Sequence, residues 1–141
     1  DVPSHMELDR ETGWLYVADT GNARVLRIDI NSPERERRLP VVERGTKVEQ
    51  WTNVVWEEIV PASAGLLQLP SGLALHDGTL YVGDNATGTI LAFDLEGGFV
   101  GRLDTGLEPG ALMGLEPGPD DRLYIVDATG HRVLRIETGD R

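Results

Sequence analysis

Three aspartates close three copies of one short run: Leu15-Tyr16-Val17-Ala18-Asp19, Leu80-Tyr81-Val82-Gly83-Asp84 and Leu123-Tyr124-Ile125-Val126-Asp127. Carboxylates are the side chains that hold hard cations or move protons, so these are the first candidates for chemistry. Their recurrence at one place in every copy argues instead for architecture, because a catalytic group is needed once. Arg24 and Arg132 follow the first and third aspartates by five residues, whereas Thr89 stands at that place after Asp84. His5, His76 and His131 supply imidazoles, which are common zinc ligands. Trp14, Trp51 and Trp56 offer flat apolar surface for a sugar or peptide, or ordinary packing in outer strands. The chain has no Gly-x-Ser-x-Gly, no His-Glu-x-x-His and no glycine-rich phosphate loop opening a helix. It also lacks cysteine, which excludes disulfides and thiolate metal sites and leaves the redox compartment open.

The elements that must position these residues are legible from self-comparison. The segment Leu15–Asp29 aligns without gaps with Leu80–Asp94 and with Leu123–Glu137. The first and third segments agree at eight of fifteen positions. Each has a lead-in: Pro3-Ser4-His5-Met6-Glu7-Leu8, Pro70-Ser71-Gly72-Leu73-Ala74-Leu75 and, more loosely, Pro109-Gly110-Ala111-Leu112-Met113-Gly114-Leu115. Alternation at Met6/Leu8 and Leu73/Leu75 predicts a short half-buried strand. A tight turn, such as His76-Asp77-Gly78-Thr79 or Gly118-Pro119-Asp120-Asp121, leads into the Leu-Tyr-Val strand. Small polar residues then form a connection needing positive φ, and Val25/Ile28, Ile90/Phe93 and Val133/Ile136 mark a third strand. A fourth is expected near Gly98–Leu103. The result is an all-β chain of four-stranded antiparallel meanders, that is, β-propeller blades. Blade 1 is placed at about residues 3–60 with an insertion within 31–69, blade 2 at about 69–105, and an incomplete blade 3 at about 109–141. Within the insertion, Lys47–Ile59 reads as the outer strand of blade 1 plus an excursion, with a helix around 54–60 as the alternative.

Charge and hydropathy narrow the partners. A formal charge of −11 and a pI near 4.6 repel phosphate backbones, which argues against nucleic acid and anionic membrane surfaces. The basic run Glu34-Arg35-Glu36-Arg37-Arg38 is interleaved with glutamates and reads as a solvated loop. No window approaches the roughly 18 continuous apolar residues of a membrane helix. The first residues fall in the middle of a repeat motif, so Ser4-His5-Met6 reads as native. The chain then reads as a piece of a longer propeller, or as half of a ring closed by two copies. Its location is open, and a secreted or extracytoplasmic one fits the sequence.

The pattern Pro-x-Gly-Leu-Ala-Leu, then Leu-Tyr-Val-x-Asp, then Arg-Val-Leu-Arg-Ile-Asp resembles the NHL repeat. The likeness spans about three-quarters of the chain, all but most of 31–69. It implies six blades in a complete ring, and turn-capping roles for Asp19, Asp84 and Asp127. It also places His5, Asn22, Asn85 and His131 at the loop-bearing end where propeller ligands bind, and His76 at the opposite end. The family holds interaction scaffolds, RNA-binding domains and enzymes, the last using calcium or zinc, so fold alone does not settle function. The expectation is a binding or protein-interaction module without evident catalytic or metal residues. Its partner is a protein or small molecule, and the missing blades or a second copy close the ring. The alternative is part of a calcium- or zinc-dependent hydrolase or lyase. The neighbouring repeat positions Gly72 and Leu112 are not ligands, so a metal at His5 would need donors from other blades.

Overall fold

A computed structural model describes residues 3–32, 35–39 and 44–137, with backbone alone for 35–38. The first sheet runs β1 (Pro3–Leu8), β2 (Trp14–Asp19), β3 (Arg24–Asp29), and is completed by β6 (Trp56–Val60). Between β3 and β6 the chain makes a separate hairpin of β4 (Arg35–Leu39) and β5 (Val48–Thr52). The second sheet is an unbroken meander of β7 (Pro70–His76), β8 (Thr79–Asp84), β9 (Thr89–Asp94) and β10 (Phe99–Asp104). The third holds β11 (Leu112–Pro117), β12 (Arg122–Asp127) and β13 (Arg132–Glu137). Every pairing is antiparallel. The architecture is all-β, and its units are propeller blades.

One local expectation is corrected, and an alternative falls in favour of the outer strand expected within Lys47–Ile59. Residues 35–38 of the basic run lie in strand β4, not in a loop, because they pair residue for residue with β5; Glu34 lies outside the described residues. Trp56–Val60 is a strand and not a helix. The chain there, Trp-Glu-Glu-Ile-Val, answers an otherwise unpaired edge of β3, and pairing satisfies the backbone donors along that edge.

The period of two in each strand sends alternate residues to opposite faces. In the second sheet Leu73, Leu80, Val82, Leu91 and Phe93 face the first sheet and are fully buried against Tyr16, Ala18, Val25, Ile59, Val60 and Leu67. Ala74 and Ile90 face the other way and pack on Leu112, Leu115, Leu123 and Ile125. Each large aliphatic or aromatic side chain buried in these seams contributes about 1.5–3 kcal/mol. The same seams fix which ends of the blades come together.

The turns repeat as faithfully as the strands. Ala23, Gly88 and His131 occupy one repeat position, and all three take left-handed backbone at φ 53°, 65° and 51°. Gly97 at φ 86° turns β9 into β10, and a Cβ there would overlap the carbonyl oxygen of Ile59 on the neighbouring blade. Gly78 at φ 69° faces open space. Gly78→Ala should therefore cost about 1 kcal/mol of backbone strain. Gly97→Ala adds a clash and should cost about 3 kcal/mol, which urea midpoints of the two variants will compare. Equal losses would contradict the close blade contact at Gly97.

Candidate functional site

The repeated aspartates meet three different sets of donors. Asp84 is fully buried, and its carboxylate accepts backbone N–H bonds from Gln68 at 2.6 Å, Leu69 at 3.2 Å and Ala86 at 3.0 Å. These donors occupy the carboxylate that has no arginine five residues on, and two of them come from the linker between blades. Asp19 accepts from the Asn22 amide and from Arg24 Nε at 2.6 Å. Burial pushes its carboxyl up, but Arg24 and Asn22 outweigh that effect and hold it below the usual range. Asp127 accepts from the Gly130 N–H at 2.7 Å and from Arg132 Nε at 2.8 Å. Those two donors, Gly130 first, hold it below the usual range as well.

The four residues placed at the loop-bearing end do share one end of their sheets, since each lies at the start of an inner strand or just after a second strand. Their side chains are not equally available. Both Asn22 contacts go to Asp19. Asn85 donates to the carbonyl oxygen of Leu112 at 2.8 Å, joined there by Ser71 Oγ at 3.2 Å. One junction earlier, Thr20 Oγ1 and Ser4 Oγ donate to the Pro70 carbonyl at 2.6 and 3.4 Å. Pro70 and Leu112 hold the same register position, opposite Asp84 and Asp127. A paired hydroxyl and polar side chain thus clasp each blade to the first residue of the next. His131 is exposed on its left-handed backbone, and His5 is half-buried in β1. The clasp was hidden in the sequence because donor and acceptor lie 27 to 66 residues apart.

The opposite end holds a concave surface. A groove of about 470 Å³ lies between the inner-strand turns of blades 1 and 2, lined among others by Glu7, Asp9, Arg10, Glu11, His76 and Asp77. Burial, then the nearby Glu116 carboxylate, raises Glu7 above its ordinary value, whereas the Thr12 hydroxyl holds Asp9 below its own. Beside the groove, one ligand atom each of His76, Asp77 and Asp121 lie within 4.8 Å of one another. Both carboxylates are open to solvent. These residues come from the matching turns of adjacent blades, His76-Asp77 and Asp120-Asp121. Of the three tryptophans, Trp14 lies beneath the Arg27 guanidinium at 4.5 Å, while Trp51 and Trp56 sit half-exposed on β5 and β6.

No protein-family model and no curated protein matches the chain. Among solved structures, 56 chains match. One is BamB from Moraxella catarrhalis, at 18% sequence identity over 98% of this chain and 45% of that one, with a TM-score of 0.42. The chain spans less than half the length of that structure.

Asp84→Ala would remove the buried acceptor of three part-buried N–H groups and should destabilise the fold by about 2 kcal/mol, measured by urea unfolding. Asp127 acts through charge as well. Its lowered pKa makes its stabilisation full above the unfolded value of about 3.9 and lost as pH falls through the folded one. Asp127→Asn should therefore flatten the fall of the urea midpoint between about pH 5 and pH 2; an unchanged slope would contradict the assignment.

Proposed function

We propose that the chain is a non-catalytic, NHL-type propeller module of a six-bladed ring, built to bind a partner. The observation that carries this reading is how the repeat carboxylates and amides are used. Asp19, Asp84, Asp127, Asn22 and Asn85 all spend their hydrogen bonds on turns, linkers and blade junctions. That use leaves them as scaffold rather than reacting groups. His5 and His131 remain the loop-end residues open to a ligand. The groove at the other end, with Glu7, Asp9, Glu11 and Asp77 against Arg10 and His76, suits a basic protein segment.

A titration with tetralysine, followed by backbone amide NMR shifts, tests this. Shifts should concentrate on residues 8–11 and 75–78, weaken with added salt and vanish in Glu11→Lys/Asp77→Lys. Shifts confined to the loop-bearing end, or insensitive to those substitutions, would overturn the groove as the docking surface.

The cluster of His76, Asp77 and Asp121 favours a second reading, a piece of a calcium- or zinc-dependent enzyme. On the binding reading, protein dialysed against zinc and calcium and then desalted should retain less than about 0.1 metal per chain by mass spectrometry. One equivalent that is lost in His76→Ala would support the enzyme instead.

A further inference from the structure

Blade 1 stacks on blade 2 through four positions of its forward face: Tyr16 and Ala18 on β2, Val25 and Arg27 on β3. The last is the polar key. Arg27 donates to Glu57 Oε1 at 2.9 Å on its own blade, then crosses to the Leu95 carbonyl at 2.8 Å and to Glu96 at 2.9 and 3.2 Å on blade 2. Its side chain is only 9% exposed. Blade 3 carries the same set at the same register: Tyr124 and Val126 on β12, Val133 and Arg135 on β13. There Val133 is 64% exposed, Val126 is 43% exposed, and the Arg135 side chain is 53% exposed, with Asp120 at 3.8 Å. Among the described residues no strand pairs with the outer edge of β13, where β3 and β9 are paired with β6 and β10.

We infer that the forward face of blade 3 is a docking surface for a further blade of the same repeat type, one bearing a carboxylate where blade 2 bears Glu96. Charge selects this occupant over a second copy of the chain. In blade 1 the residue at the place of Glu96 is Asn31: the Asn31 N–H bonds Asp29 as the Glu96 N–H bonds Asp94. A second copy docking its own blade 1 would offer Arg135 an amide, and it would leave the β13 edge unpaired. A further blade of the repeat would offer the carboxylate, as blade 2 does for blade 1, and the outer strand leading into it would pair with β13, as β6 pairs with β3. Met113 and Ala128 replace the hydroxyl and polar pair that clasps the earlier junctions, so Arg135 is the polar contact on which this junction turns.

The inference rests on the propeller reading, but not on what the groove binds. It is tested on the intact chain extended after Arg141 by a second copy of residues 55–104. That extension supplies an outer strand, a linker and a blade carrying Glu96. Urea unfolding should show one cooperative transition at a higher midpoint than the unextended chain. Arg135→Met should lower the folding equilibrium constant of the extended protein about tenfold and that of the unextended chain less than twofold. Glu96→Asn in the appended copy should match the loss, with the double variant no worse than either single one. Equal effects of Arg135→Met in both backgrounds, additive effects, or a separate transition for the appended blade would each overturn the inference. So would a stable dimer of the unextended chain, by light scattering, that Val133→Asp dissolves, since a second copy would then be the occupant. Loss of tetralysine binding with this coupling intact would overturn the groove alone.

Discussion

A four-stranded sheet with apolar residues on both faces cannot bury either face by itself, and every other feature of this protein depends on that constraint. Blade 2 satisfies it on both sides. Its Leu73, Leu80, Val82, Leu91 and Phe93 close against blade 1, while Ala74 and Ile90 close against blade 3. Because the buried side chains lie in the seams between consecutive blades, stability is a sum of blades and junctions rather than the property of one central core. The polar groups then serve the junctions. Clasps to the Pro70 and Leu112 carbonyls fix one end of the stack, and the Arg27–Glu96 pair fixes a site farther out along the blades.

The two junctions reach similar ends with different chemistry. Between blades 1 and 2, a guanidinium lies over Trp14, between Glu57 and Glu96. Between blades 2 and 3, Ala92 stands at the arginine position, and small residues bring the backbones together instead: a Cβ on Gly72 would stand 3.2 Å from that of Leu115. The repeat therefore conserves geometry more strictly than it conserves the interaction that holds it. The same holds for the aspartates, where Asp84 uses three backbone donors in place of the arginine that serves Asp19 and Asp127.

The strands and their order within each meander were legible because they rest on local pattern, alternation and a tight turn. The left-handed position was legible only at Gly88, since in the other two blades it falls on Ala23 and His131, one residue past the small polar runs. The hairpin β4–β5 was not, since its strands pair with each other and repeat nothing else in the chain. Asn85 read as a ligand residue because a polar side chain in a loop at the expected ligand end suggests one; its acceptor, the Leu112 carbonyl, carries no sequence signal. The groove and the His76–Asp77–Asp121 neighbourhood arise from turns of adjacent blades and become visible only when the blades are set side by side.

Hydrogen exchange read by mass spectrometry tests the stacking account most directly. A blade covered on both faces should open only with global unfolding. The account predicts the slowest amides in β8 and β9, at Thr79–Asp94, with the exposed edge strand β13 and the β4–β5 hairpin exchanging far sooner. Amides of β8 and β9 that exchange as fast as those of β13 would mean that blade 2 is not held between its neighbours, and the account would fall.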